Sequence, residues 1–237
     1  MELPNPTPET FTNPAAQEKI RSILDKTGRE NRTTKISPTI SLENLYAKLD
    51  GAEAGLVRQL LTLDPLMLGF RGPFVSMEEV PNNLVGIEGQ QYTHQGEVIT
   101  IRKQYLPEPA WEAFQGMAAA IHRDMGSLLM VESGYRSPAA QAVTFLTFLE
   151  MNSFDIRQTA KGVALPGYSQ HGDPRRTAVD VINQDGVPDD DRPEEFEHTQ
   201  EYYWLRQHAG EHHFHLSYPN ADNDGIKFEP WHWQYRG

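Results

Sequence analysis

Apolar positions recur along the chain in two spacings, and these sort it into helices and short strands. Between residues 41 and 63, Leu42, Leu45, Leu49, Leu56, Leu60 and Leu63 stand at roughly helical spacing, with a break near Asp50-Gly51. Residues 109–125 form an amphipathic pattern, with Trp111, Phe114, Met117, Ala118 and Ile121 on one face. Ser137-Pro138 opens a third helix, because serine caps well and proline fits the first helical position. It carries Gln141 in its first turns and turns Val143, Leu146 and Leu149 towards the core. Thr199 caps a helix through Tyr203, Trp204 and Leu205. Short apolar runs predict strands at 98–101, 128–131, 179–182, 214–218 and 231–235. Helices and strands mix without a regular βαβ alternation, so the predicted class is α+β.

Residues 1 to about 40 are rich in Pro, Thr, Asn and charge, with one helix-like stretch at 15–24. They read as an extension that packs loosely or stays mobile and is dispensable for chemistry. Pro65, Gly69, Gly72 and Pro73 mark a change of regime. The predicted division is a partly helical extension over 1–71 and a compact domain over 72–237. No internal repeat stands out.

Composition narrows the function. The 237 residues carry a net charge of −12, which argues against a nucleic-acid partner. The absence of cysteine removes disulfides, thiol nucleophiles and thiolate ligands together. No stretch reaches the roughly 18 apolar residues of a membrane helix. Met1 to Pro6 lacks the basic and apolar regions of a secretion signal. The expectation is a chain made without one, or a mature form with an added methionine. Asp189-Asp190-Asp191 with Glu194, Glu195 and Glu197 reads as a solvated acidic loop.

The chemistry-bearing residues fall into three clusters. Asp180 interrupts the apolar run Ala178-Val179-Asp180-Val181-Ile182, where a carboxylate is costly unless it is paired or holds a metal. Upstream, His171 lies in the loop Pro166 to Pro174, beside Ser169. Near the C-terminus, Glu229-Pro230-Trp231-His232 sets a carboxylate three positions before an imidazole. Residues three apart in a strand face opposite ways, but Pro230 lets the chain bend and bring both to one site. Together the clusters offer two imidazoles and one carboxylate as candidate metal ligands, and leave one carboxylate free as a base. Three protein ligands with an open position suit a catalytic zinc site. Arg136 lies between a predicted strand and a capped helix, where a carboxylate clamp is well placed. His212-His213-Phe214-His215 lacks the spacing of a helical zinc site, and its histidines read as solvent-facing or outlying. Asn220 to Gly225 imitates a calcium loop, but Trp231 occupies the twelfth position, so it reads as a turn.

Ser133-Gly134-Tyr135-Arg136-Ser137 with Gln141, Ser169-Gln170-His171, Ala178-Val179-Asp180 and Glu229-Pro230-Trp231-His232 with Tyr235 occur in one order. In these motifs, and in Tyr203-Trp204-Leu205 and Phe214 to Pro219, the chain resembles the zinc D-Ala-D-Ala carboxypeptidases of the VanY type, from about Leu84 to the end. The resemblance implies a small domain with a central antiparallel sheet flanked by helices, and one zinc per chain held by His171, Asp180 and His232. It implies that Glu229 acts as general base and acid, that Arg136, Gln141 and Ser169 contact substrate, and that Trp231 shapes the pocket. The implied partners are peptidoglycan stem peptides, cut at their C-terminal peptide bond by a monomer in the cell envelope or periplasm, or in the cytoplasm if Met1 is a native start. Two other readings stand beside it: a phage-type L-Ala-D-Glu endolysin, and a catalytically idle zinc domain that binds peptidoglycan. One departure is visible. The family pattern Ser-x-His-x-x-Gly-x-Ala-x-Asp is here two residues longer between His171 and Asp180, with Arg176 in place of the glycine.

Overall fold

A computed structural model describes residues 5–30, 33–188, 193–218 and 228–237. The longer helices are α1 (Pro14–Lys26), α2 (Gly51–Leu61), α3 (Glu108–Met125), α4 (Pro138–Met151) and α5 (Gln200–His208). The described residues divide into two compact units. One joins residues up to Val80 with Arg136–Gly172, and the other joins Pro81–Tyr135 with residues from Asp173 on.

The first unit is helical. Its centre is α4, whose Ala139, Ala142, Val143, Phe145, Leu146 and Leu149 are fully buried. A helix apolar around most of its circumference needs cover on several sides, and α1 and α2 supply it. Ile20, Ile23 and Leu24 of α1 recur at i, i+3 and i+4, and with Phe11 they are fully buried in the same cluster as α4. The expectation of a loosely packed or mobile arm over residues 1–40 is therefore corrected. Its polar composition conceals one apolar helix stripe, and that stripe is what packs. The contacts also do not divide the chain at residue 72.

The start of α2 shows how this layer is held. Asp50 accepts the backbone N–H of Ala52 and Glu53, and Glu53 reaches back to the N–H of Asp50 at 2.8 Å, closing a capping box. Glu53, only 2% exposed, also accepts from Ser22 at 2.6 Å and from Lys26 at 2.6 and 2.7 Å.

The second unit is built on a four-stranded antiparallel sheet. Its strands are β1 (Leu129–Ser133), β2 (Ala178–Asn183), β3 (Phe214–Leu216) and β4 (His232–Tyr235), in the order β1-β2-β4-β3. Side chains alternate between the two faces. Val131, Val179, Val181, Phe214 and Trp233 share the face that packs with Phe114, Met117 and Ile121 of α3 and Leu205 of α5. Asp180 and His232 occupy the other face. The edge of β1 is not left open, because the Gln90 side chain accepts from Val131 N–H and donates to Val131 O, both at 2.9 Å. Two hairpin-like pairs, Leu84–Ile87 with Gln104–Pro107 and Gln91–His94 with Glu97–Thr100, complete the unit. Only the last of these strands was expected.

Burial raises the Glu53 carboxyl, but its hydrogen bonds from Lys26, Ser22 and Asp50 outweigh burial and hold it below 4.5. Its stabilisation is therefore complete above that value and fades as pH falls through the lowered one. Glu53→Ala is expected to cost about 2 kcal/mol at pH 7, since several hydrogen bonds to a charged group are lost while Lys26 can turn to solvent. Urea melts should show the gap to wild type narrowing below about pH 4.

Candidate metal and substrate site

The register of β2 against β4 sets Asp180 directly opposite His232. Opposed residues of antiparallel strands project to the same face, and here His232 Nδ1 and Asp180 Oδ1 are 2.7 Å apart. On its other flank Asp180 pairs in register with Ser133, past a bulge between Val131 and Ser133. A carboxylate amid Val179 and Val181 is thus placed away from the apolar face.

Glu229 stands just outside β4. His232 N–H donates to Glu229 O at 3.1 Å, which makes a turn, and Trp233 Nε1 donates to Pro230 O at 3.0 Å. The turn brings Glu229 Oε2 to 3.8 Å from His232 Nδ1. This meets the expectation that Pro230 lets both side chains reach one place. Trp231 holds the turn to the sheet through its carbonyl, which accepts Val181 N–H at 3.1 Å.

Tyr218 is a site residue to which the sequence reading gave no role. Its ring stacks on His232 with centroids 5.2 Å apart and planes at 25°. Burial first, then the Glu229 and Asp180 carboxylates, push its phenol well above the ordinary range. It therefore stays protonated at neutral pH, as a hydrogen-bond donor. The available signal was its place two residues after β3, the strand that pairs with β4.

His171 sits in a single 3-10 turn, Gln170–Gly172, and is 5% exposed. Its carbonyl accepts Arg136 N–H at 3.0 Å, and the turn is closed by Gly172 N–H to Ser169 O at 3.0 Å. Arg136 Nη1 donates to Gln141 Oε1 at 2.9 Å, and Gln141 Nε2 donates to Ala164 O at 2.6 Å. Gln141 is buried. The longer loop after His171 is taken up locally, since Asp173 Oδ1 accepts both Arg175 N–H and Arg176 N–H.

Gly134 lies where the second unit needs a glycine. A Cβ there would meet Tyr105 O at 2.3 Å, and the neighbouring Tyr135 N–H donates to that oxygen at 2.6 Å. A side chain at 134 would displace the strand end that leads to Arg136.

One ligand atom from each of His171, Asp180 and His232 can be chosen so that all lie within 4.8 Å of one another. Donors about 2.1 Å from a tetrahedral zinc stand roughly 3.4 Å apart. Two imidazoles and a carboxylate are a fitting donor set for zinc. Among the described residues no second group of this kind occurs. His213 and His215 are exposed, and His212 stacks on Trp204. The calcium-like stretch Asn220 to Gly225 and the core of the acidic run, Asp189 to Asp191, lie outside the described residues.

No match to the chain is found among curated proteins. Solved structures do match. The LdcB LD-carboxypeptidase is 27% identical with a TM-score of 0.52, over 66% of this chain and 69% of that one. A mutant of the vancomycin-resistance D,D-pentapeptidase VanY in complex with Zn(II) is 25% identical, TM-score 0.44, over 56% of this chain and 74% of that one. VanYB in complex with D-alanine-D-alanine is also 25% identical, TM-score 0.45, over 56% and 73%. The sequence model for VanY, D-alanyl-D-alanine carboxypeptidase, matches residues 103–237, more than half of the chain. With the four motifs in order and their side chains disposed as above, the chain belongs to the VanY D-alanyl-D-alanine carboxypeptidase family.

Proposed function

We propose that this chain is a zinc-dependent carboxypeptidase that hydrolyses the C-terminal peptide bond of peptidoglycan stem peptides. The observation that carries the reading is a second carboxylate outside the candidate ligand set, Glu229, held 3.8 Å from His232. A structural zinc site needs no such group. His171, Asp180 and His232 would hold the ion, one per chain. A zinc bound there supplies Lewis acidity and an activated water at neutral pH.

The chain's own residues do the rest. A Glu229 carboxylate oxygen accepts the attacking water's proton and delivers it to the departing amine nitrogen. The Arg136 guanidinium pairs with the substrate's terminal carboxylate through two parallel hydrogen bonds. Ser169 and Trp231 line the substrate's path. The Tyr218 ring, stacked on His232, steadies that imidazole. An enzyme with this proposed substrate would meet it in the cell envelope.

Three outcomes test the reading. Elemental analysis should find one zinc per chain, lost in His232→Ala; undiminished zinc in that variant contradicts the ligand set. Glu229→Gln keeps nearly the same shape but cannot take the proton, so it should retain zinc and fold while kcat falls by about 10²- to 10⁴-fold. A near wild-type kcat would put the base elsewhere, and an inactive wild type would support an idle binding domain. On defined muropeptides, mass spectrometry should show release of the C-terminal residue from free-acid peptides, with amidated peptides cut poorly. Equal cleavage of the amide, or products split at L-Ala-D-Glu, would favour the endolysin reading.

A further inference from the structure

Residues before 103 lie outside the family match, yet within the first unit they hold two loops that carry substrate-side residues. The first hold is on Ser137. Its N–H donates to Pro38 O at 2.8 Å, and its hydroxyl donates to Ile40 O at 2.6 Å while accepting Ala140 N–H at 3.1 Å. One oxygen thus caps α4 and ties it to the 38–40 segment. Ser137 is 1% exposed, and Ile40 is buried in the cluster that surrounds α4. The residue before Ser137 is Arg136, and one helical turn on is Gln141, whose amide is fixed between Arg136 and Ala164 O.

The second hold is on Gly167, two residues before Ser169. Its carbonyl accepts the N–H groups of Val75 and Ser76 at 2.8 and 3.2 Å. The approach is close: a Cβ on Gly167 would come within 3.1 Å of Met77 and of Phe74, and φ there is +86°. A positive φ at this crowded place suits glycine alone.

A guanidinium fork recognises a carboxylate only when held to within a fraction of an ångström, and loops need support to achieve that. We infer that residues 38–40 and 75–77 form a brace that positions Arg136 and the Ser169–His171 loop, so that the N-terminal region sets substrate affinity without touching substrate. This rests on the reading of Arg136 as the carboxylate clamp. It reverses the expectation that residues 1–40 are dispensable for chemistry. The brace acts through its backbone carbonyls at 38 and 40 and its backbone N–H groups at 75 and 76, which explains why no motif marked it in the sequence.

The test compares two truncations in one core. Ile40→Ala loosens the braced segment, whereas Leu24→Ala, fully buried in the same cluster, removes packing with none of the holds described above. Kinetics on free-acid and amidated stem peptides are measured in the full chain, well below both melting temperatures. Ile40→Ala should raise KM for the free acid about fivefold or more, leave kcat within about twofold, and weaken the preference for the free acid. Leu24→Ala should leave KM and preference unchanged even where it lowers the melting temperature as much. Ser137→Ala should follow Ile40→Ala, Ser137→Thr should restore wild-type KM, and Gly167→Ala should raise KM through the second hold. Equal KM shifts in Ile40→Ala and Leu24→Ala, or none in either, overturn the brace. A wild type that shows no preference for the free acid instead overturns the reading of Arg136 on which the brace depends.

Discussion

The pairing of Asp180 with His232 across two strands is the constraint on which the second unit turns. An ionised carboxylate inside an apolar strand is tolerated only with a partner. The β2–β4 register provides one directly opposite, at 2.7 Å. A slip of one residue would drive Asp180 into the face packed on Phe114 and Met117, and would expose Val179 and Val181. The polar pair therefore enforces the register that the apolar face prefers. Because β4 begins at His232, the turn before it must bring Glu229 beside the same atoms.

The first unit meets a different demand. Arg136 and His171 lie on irregular backbone, which has no ladder of its own to hold it. Their order comes from neighbours: the His171 carbonyl on Arg136 N–H, the Gln141 amide on the guanidinium, and the buried Ser137 hydroxyl at the head of α4. A helix buried on most of its circumference is a rigid base for such loops, and α1 and α2 exist in this chain to cover it. Segments that adjoin the covering helices and reach the loop backbone, such as residues 38–40, can tune a site while leaving its chemical groups unchanged.

Much of this was legible in the sequence, and the reasons differ by residue. Asp180 announced itself as a lone charge in an apolar run. Ser137-Pro138 and Thr199 marked helix starts because capping chemistry is local, and both act as caps here. The bend at Pro230 followed from proline's exclusion from a regular ladder. The packing of α1 was hidden because Ile20, Ile23 and Leu24 are too few to lift the polar average of residues 1–40. The strands over 84–107 were largely missed because they are four-residue pieces with little alternation. Tyr218 was hidden for another reason: stacking on His232 depends on the β3–β4 pairing, which is a tertiary fact. Ser133 to Ser137 read as a motif, but the need for glycine at 134 came from Tyr105, about thirty residues away in sequence.

X-ray absorption at the zinc edge of the reconstituted protein tests the central claim most directly, because it reports the donor atoms themselves. The account predicts a first shell of nitrogen and oxygen at about 2.0–2.1 Å with outer-shell scattering from two imidazoles, falling to one imidazole in His171→Ala. A shell of oxygen donors alone, or a two-imidazole signal that persists in His171→Ala, would contradict it.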